Sequence, residues 1–276
     1  MKISVVVPCR ENIPQQLLDN LWGQTFPPNE IIEVVGNSLT IQRKEGIKQS
    51  SGDIIIFIDD DLILDKNYLW EIMETFFLHP DAMAVTGNVE AIMYRPNLFY
   101  TIFAHIFFLT YMGKGKFLIS GFPQNYHQKI TRTIKGEMLN GCNMAIRREI
   151  FKEFSFNENL ESGMYGEDDY FAYQLTRKYN VYYNPNARCY DDRPYPWGKQ
   201  AWKVRCTILN LVTRYRNRRT NLMGKMAFWW AMTGFIIFKI MEAIVMKDVS
   251  IIKGIKNCSK TFPYLPIIKK VEIYTR

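Results

Sequence analysis

The sequence is poor in the residues that build disulfide frameworks and zinc sites. It contains five cysteines and three histidines among 276 residues. The cysteines are odd in number and show no paired spacing, which indicates a reducing compartment and argues against a zinc site. They are Cys9, Cys142, Cys189, Cys206 and Cys258. No internal repeat or low-complexity segment is present, so the sequence predicts a globular protein and excludes a repeat array.

No hydrophobic leader opens the chain. Met1–Val7 is too short for a signal peptide and runs into Pro8 without a small-residue cleavage site. We therefore expect the bulk of the protein to lie in the cytoplasm. Hydrophobic residues make up 47% of the chain, which is enough to bury the core of one large domain.

Acidic residues are scarce in the last third of the chain. Residues 199–276 carry sixteen Lys and Arg against three Asp and Glu, a net charge of +13, whereas residues 1–198 carry −5. This asymmetry predicts a boundary between a main domain, 1–198, and a basic, apolar helical appendage, 199–276.

Strands and helices alternate along the first part of the main domain. We predict strands at Lys2–Val7 and Glu30–Val35, a third that begins at Asp53, and a fourth at Ala82–Glu90. Between them we predict helices at Ile13–Trp22, Thr40–Gln49 and Lys66–Leu78. This alternation indicates an α/β fold with a mostly parallel, doubly wound sheet and helices on both faces.

The run Asp53–Asp61 combines a strand buried on both faces with three carboxylates at its end. Ligands of open α/β sheets bind at the carboxyl ends of strands. Side chains alternate along an extended chain, so Asp59 and Asp61 can point the same way and hold Mn2+ or Mg2+. Alternatively, the three acids are solvated and cap the following helix.

Several segments in this order resemble an inverting family-2 glycosyltransferase of the GT-A, Rossmann-like fold. The resemblance covers about residues 3–192 and lies in Ser4–Pro8, Glu30–Val35, Arg43–Ile47, Ser51–Asp61, Leu139–Arg148 and Gly166–Leu175. It implies a nucleotide-diphosphate sugar as donor. It also implies a nucleotide-binding half, 1–90, and an acceptor-side half, 91–198, with an aromatic insertion at 98–119.

The resemblance also implies roles for individual residues. Asp168 would be the catalytic base, with Glu167 as its neighbour and second choice. Asp61 with Asp59 or Asp60 would hold the metal ion. Donor contacts would come from Pro8, Arg10, Glu11, Asn37, Arg43, Asp59 and Asp60. Acceptor contacts would come from Gly141, Asn143 and Glu167. Alternatively, the acids at 167–169 cap a helix N-terminus, as acids there commonly do.

Two positions depart from the family pattern. Many relatives carry an aspartate after the second strand to bind the base, where this chain has Gly36. Relatives also often have a metal-binding histidine after the strand that follows the Glu-Asp helix, where this chain has Asp191. An aspartate can replace that ligand on Mg2+ or Mn2+, although Asp191 is equally compatible with a solvated loop acid.

Two apolar segments indicate a membrane. Leu98–Met112 carries no formal charge but is too short to span, whereas Met226–Met246 is long enough yet contains Lys239 and Glu242. We favour a peripheral or monotopic attachment at the cytoplasmic membrane face. The alternative is a helix pair packed over the sheet.

The basic residues near these segments suit anionic lipid headgroups. Lys203 and Arg205 could instead bind a phosphate of the donor or of a lipid-linked acceptor. No nucleic-acid module accompanies the charge, so we expect no nucleic-acid partner. The Gln-x-x-Arg-Trp motif of processive synthases does not occur at Gln200–Val204, which favours transfer of one sugar to a lipid-linked or glycan acceptor.

Two other functional classes remain open from sequence. A catalytically inactive relative that binds membrane or glycan would account for Gly36 and the missing histidine. A haloacid-type phosphatase also places Asp-x-Asp after an apolar strand, but usually after the first strand of its sheet.

Overall fold

The computed structural model describes residues 1–91, 98–109, 112–157, 167–191, 222–246 and 249–252. The chain forms two compact units. The first comprises Met1–Tyr94, Met112–Lys116 and Asn125–Pro194, and the second comprises Arg95–Tyr111, Phe117–Gln124 and Tyr195–Arg276. The predicted boundary at residue 198 falls outside the described residues and stays a prediction.

The first unit is an α/β domain. Its strands are β1 (Ile3–Cys9), β2 (Glu30–Val35), β3 (Ile54–Ile58), β4 (Ile63–Leu64), β5 (Ala82–Ala91), β6 (Met112–Gly113), β7 (Asn125–Tyr126), β8 (Ile134–Gly136), β9 (Asn143–Arg147) and β10 (Asn180–Asp191). Its helices are α1 (Gln15–Trp22), α2 (Leu39–Gln49), α3 (Tyr68–Leu78) and α5 (Glu167–Leu175), with a 3-10 helix at Arg148–Lys152. Helix α4 (Leu98–Ile106) and helix α6 (Leu222–Met246) belong to the second unit.

Eight strands form one twisted sheet in the order β2-β1-β3-β9-β5-β10-β4, with β8 also paired to β10. Strand β1 runs parallel to both β2 and β3, and β5 runs parallel to β10. Strand β9 runs antiparallel between β3 and β5, with Asn143 opposite Ile58. The sheet is therefore mixed, because β9 enters it from the edge at which β3 ends.

Helices cover both faces of this sheet. Strand β1 is buried along its whole length, so alternate side chains must pack on opposite faces. Ile3, Val5 and Val7 share a core with Leu17 and Leu21 of α1 and with residues of α3. On the other face, Gly46 of α2 lies so close to Val6 that a methyl group there would overlap it. The predicted α/β fold with helices on both faces is confirmed, but the sheet is mixed and not mostly parallel, because β4, β8 and β9 pair antiparallel to their neighbours.

The predicted elements match the observed ones closely over this region. Strand β2 has the predicted bounds, and α1, α2 and α3 begin within two residues of the predicted starts. Strand β2 and helices α1 and α3 bury apolar side chains, whereas α2 buries Thr40, Gln42, Arg43 and Gly46.

The second unit contains a pair of apolar helices. The Trp230 indole of α6 donates a hydrogen bond to the Ile106 carbonyl of α4 at 2.8 Å, and its ring stacks on Phe107 with centroids 4.7 Å apart. Gly234 makes room for the Phe107 ring, which a side chain at this position would overlap. Ala104, Leu109 and Ala231 complete the small core between the helices.

Candidate active site

The acidic motifs converge at one edge of the sheet. Strands β1, β3, β5 and β10 all end there, and β9 and α5 begin there, because β9 is antiparallel to its neighbours. The Asp59 N–H donates to the Cys142 carbonyl at 3.1 Å and ties the end of β3 to the start of β9. Segments far apart in sequence thus contribute to one site.

Asp59 and Asp60 face different neighbours. Burial raises the pKa of the Cys142 thiol well above its usual range, and the charges of Asp59, Asp168 and Asp191 raise it further. Burial also raises the pKa of Cys9, and there Glu33 and Asp60 contribute. The charge of Asp59 therefore acts on the start of β9, and the charge of Asp60 acts on the end of β1.

The glutamate of the Glu-Asp motif is held in the protein interior. Glu167 accepts a hydrogen bond from Arg43 Nη1 at 2.9 Å, and both side chains are largely buried. Burial and the neighbouring Asp168 raise the pKa of Glu167, while Arg43 opposes the rise. Glu167 is therefore an internal partner of Arg43.

Asp168 is more exposed than Glu167 and is oriented by the backbone. Its Oδ2 accepts the Gly141 N–H at 2.9 Å, and its Oδ1 accepts the Asp169 N–H at 2.9 Å. A Cβ on Gly141 would lie 2.6 Å from Asp168 Oδ2. The segment before β9 thus requires glycine here to let the carboxylate approach.

Arg43 lies beneath these acids and not in the open site. It is 1% exposed, and its Nη2 donates to the Gly141 carbonyl at 2.8 Å. Burial lowers the pKa of Arg43, but Glu167, Asp59 and Asp168 outweigh this effect and raise it. Its burial speaks against the predicted direct contact with the donor.

Asn143 is also an interior residue. Its Oδ1 accepts bonds from Thr86 Oγ1 at 2.7 Å and from the Gly87 N–H at 3.1 Å, and its Nδ2 donates to Cys189 Sγ at 3.0 Å. The carboxamide therefore joins β9 to β5 and β10. This placement speaks against the predicted contact between the Asn143 side chain and an acceptor.

The predicted donor residues differ in exposure. Arg10, Glu11 and Asn37 are exposed after β1 and β2, whereas Pro8 is buried within β1. Lys203 and Arg205 lie outside the described residues. Their predicted contacts stay predictions.

Gln42 joins the ends of β1 and β2, and this role was not predicted from the sequence. Its Nε2 donates to the Cys9 and Val34 carbonyls, both at 2.7 Å, and so ties together the ends of β1 and β2. A Cβ on Gly36 would lie 3.1 Å from Gln42 Cγ. Gln42 precedes Arg43 in a helix that must pack on the sheet. This position could have indicated a buried polar side chain.

The carboxylates at the ends of β3 and β10 are the predicted metal ligands. Burial raises the pKa of Cys189 to about 12, and the charges of Asp191 and Asp59 contribute to the rise. Within the described ranges, no three His, Cys, Asp or Glu side chains form a metal cage by themselves. Mg2+ and Mn2+ usually bind one or two carboxylates and complete their shell with substrate phosphates.

A family model described as "Glycosyltransferase like family 2" matches residues 3–206. Among curated proteins, the Glucosyl-dolichyl phosphate glucuronosyltransferase of Haloferax volcanii is 22% identical over an alignment of 187 residues, and the match covers 55% of this chain and 55% of that protein. The chain thus spans about half the length of this curated relative.

Two solved structures share the fold. S. aureus TarS 1-349 in complex with UDP-GlcNAc superposes with a TM-score of 0.53 and 15% identity, over 94% of this chain and 80% of that one. The mannosyltransferase PcManGT from Pyrobaculum calidifontis, in complex with GDP-Man and Mn2+, gives a TM-score of 0.52 and 15% identity, over 96% and 81%. At these identities the likeness shows the fold alone.

Proposed function

Because the chain belongs to glycosyltransferase-like family 2 and has the GT-A fold, we propose that it transfers one sugar from a nucleotide-diphosphate sugar. The acceptor is a lipid-linked or glycan hydroxyl at the cytoplasmic face of a membrane, and the anomeric configuration is inverted. One observation carries the proposal. The segment Gly141–Cys142 bonds to both acidic motifs, because the Gly141 N–H donates to Asp168 Oδ2 at 2.9 Å and the Cys142 carbonyl accepts the Asp59 N–H at 3.1 Å.

The acids divide into a donor side and an acceptor side. The charge of Asp60 acts on the end of β1, where the nucleoside would bind beside the exposed Arg10 and Asn37. Asp59 and Asp61 with Asp191 would hold Mn2+ or Mg2+. When bound, such an ion stabilises the negative charge of the departing diphosphate as a Lewis acid. The TarS complex contains UDP-GlcNAc, and the PcManGT complex contains GDP-Man and Mn2+. Both complexes support this choice of partners.

Asp168 is the better placed of the two candidate bases. An inverting displacement needs one base that takes the proton from the acceptor hydroxyl. Oε1 of Glu167 accepts a hydrogen bond from buried Arg43. Asp168 is partly exposed, and two backbone N–H groups orient its carboxylate. Asp168 would therefore accept the proton, and the Gly141 segment would border the acceptor.

The second unit supplies the membrane contact in this proposal. Helix α6 exposes an apolar stripe at helical spacing, which includes Leu222, Met226, Trp229, Ile237, Ile240 and Ile244. On α4, Leu98, Ile102 and Ile106 are exposed at four-residue spacing. Leu222–Val245 is also long and apolar enough to cross a membrane by length and composition. Together with the basic flanks, these stripes suit a lipid surface with anionic headgroups.

The donor is tested by calorimetric titration with UDP, GDP, CDP and TDP, each with Mn2+ and with EDTA. We expect one nucleotide to bind only when Mn2+ is present. Asp61→Ala should abolish this Mn2+-dependent binding. The sugar forms of that nucleotide are then tested for turnover, where Asp168→Asn should lower kcat by about 100-fold or more. Full activity in Asp168→Asn would refute the base. Binding of none of the nucleotides would favour an inactive relative.

Membrane attachment is tested by flotation of the full-length chain with vesicles of neutral or anionic lipid. We expect flotation with anionic vesicles, and its loss when Leu98, Ile102 and Ile106 are changed to Ser. Recovery of the wild-type chain in the soluble fraction without detergent or salt would contradict this part of the proposal.

A further inference from the structure

We propose that Arg43 is a positioning residue for the proton transfer: it clamps Glu167 and the Gly141 carbonyl, and through Gly141 it orients Asp168. This inference rests on the proposed function, since it assumes that Asp168 is the base. It assigns Arg43 a role that differs from the donor contact suggested by sequence.

A chain of hydrogen bonds links Arg43 to Asp168. Arg43 Nη1 bonds to Glu167 Oε1 at 2.9 Å, and Nη2 bonds to the Gly141 carbonyl at 2.8 Å. Gly141 in turn donates its N–H to Asp168 Oδ2 at 2.9 Å. Gly141 is thus held on one side by the guanidinium and holds the carboxylate on the other. Arg43 and Glu167 are 124 residues apart, so this clamp also fixes α5 against α2.

The Arg43 guanidinium is buried in the protein interior. At 1% exposure Arg43 has no surface from which to contact a diphosphate or a sugar. Its guanidinium carbon also lies 5.5 Å from the centre of the Phe156 ring, which fills the space beneath it. A buried cation held by a carboxylate, a carbonyl and an aromatic ring is fixed in position, and it can transmit that position to its partners.

Arg43 also offsets the negative charges around Asp168. The positive charge of Arg43 acts on Glu167, Asp59 and Asp168 together. The thiol of Cys142, from the segment before β9, also lies near Asp168. Among these described groups Arg43 is the cation that opposes the mutual repulsion of the three acids. Loss of its charge would favour protonated Asp168, whereas loss of the Glu167 charge would favour ionised Asp168.

These features predict different results for four variants. Arg43→Met should lower kcat on the order of 100-fold, leave the donor KM within about threefold, and move the acid limb of the pH–rate profile to higher pH. Glu167→Gln should move this limb to lower pH. Arg43→Lys keeps the positive charge but has only one donor group. The acid limb of its pH–rate profile should therefore stay where it is in the wild type, and its kcat should lie above that of Arg43→Met. Arg148→Met is the matched control.

Arg148 suits the control because it also secures α2 but lies at the opposite edge of the sheet. Its Nη1 donates to the Ile47 carbonyl of α2 at 3.4 Å, its Nη2 donates to Oγ of Ser50 directly after α2 at 2.8 Å, and its Nε donates to the Gly52 carbonyl at 2.6 Å. Its loss should lower the melting temperature without a shift of the pH–rate profile. A general loss of rigidity in α2 would therefore appear in both arginine variants, and loss of positioning would appear in one.

The experiment measures nucleoside-diphosphate release from the sugar nucleotides of the base selected by titration, with Mn2+, from pH 5 to 9. A raised donor KM with unchanged kcat in Arg43→Met would overturn the inference in favour of a donor contact. Unchanged kcat and pH profile would overturn it outright. If Arg43→Met does not fold, the double variant Arg43→Met/Glu167→Gln, which also removes the charge of the ion-pair partner, replaces it and should retain the kcat defect.

Two further outcomes separate this inference from the proposed function. An active Asp168→Asn enzyme would refute the base itself, and the inference with it. An inactive Asp168→Asn enzyme beside a fully active Arg43→Met enzyme would refute the positioning role alone. Wild-type protein that releases no nucleoside diphosphate from any sugar form of its nucleotide would refute both.

Discussion

A single methyl group on Gly141 tests the geometry of the candidate base. In Gly141→Ala, the new Cβ would lie 2.6 Å from Asp168 Oδ2, 3.0 Å from Cγ and 3.2 Å from Cβ. Ordinary van der Waals contact starts at 3.4 Å, so the carboxylate must retreat by about 0.8 Å. The 2.9 Å hydrogen bond from the Gly141 N–H to Oδ2 would then be lost or bent.

The expected cost falls on kcat. A displacement of about 1 Å in a reacting group lowers a rate by on the order of 100-fold, or about 2.7 kcal/mol of transition-state stabilisation. Overpacking costs about 1–3 kcal/mol of folding stability. The donor KM should stay unchanged, because Asp59, Asp60 and Asp61 are untouched.

The assay is nucleoside-diphosphate release at saturating donor and Mn2+, with thermal unfolding measured in parallel. Gly23→Ala is the control, because its Cβ would lie 2.9 Å from the Asp19 carbonyl at the end of α1, outside the site. It should lose stability and keep its kcat. A kcat in Gly141→Ala within twofold of wild type would refute the placement of Asp168 as the base.

Three further predictions concern the framework. Asn143→Ala leaves the buried Gly87 N–H without its acceptor and should cost about 2–3 kcal/mol in chemical unfolding; a cost below about 0.5 kcal/mol would contradict its bridging role. Hydrogen bonds from Ser4 and Ser51 lower the pKa of Glu30, so its contribution is present above the usual Glu pKa of about 4.3 and lost as pH falls through the lowered value. Glu30→Gln should therefore be less stable than wild type at pH 7, with the gap closing in acid, and a gap that is constant with pH would count against this. Gly234→Val should force Phe107 away and make residues 98–109 sensitive to limited proteolysis, whereas wild-type protection would argue against the packing of α4 on α6.

Local pattern determined much of the first unit. The alternation of apolar strand segments with helical segments predicted β1, α1, β2, α2, β3, α3 and β5, and the acids after β3 marked the edge that carries the candidate site. The family was predicted from the order of short motifs and is confirmed by the model that matches residues 3–206. Such features are readable in sequence because each depends on residues close together in the chain.

The tertiary structure decided which motif residues face the site and which support it. Arg43 and Asn143 were predicted to bind donor and acceptor, yet both are buried and bond to protein groups about 50 to 124 residues away. Gln42 ties two strand ends, and β9 runs antiparallel between β3 and β5. Most of these partners lie far apart in the sequence, although Gln42 and Val34 are only 8 residues apart. A polar side chain is buried only where the fold satisfies its hydrogen bonds, and that condition is met by the packing of distant segments.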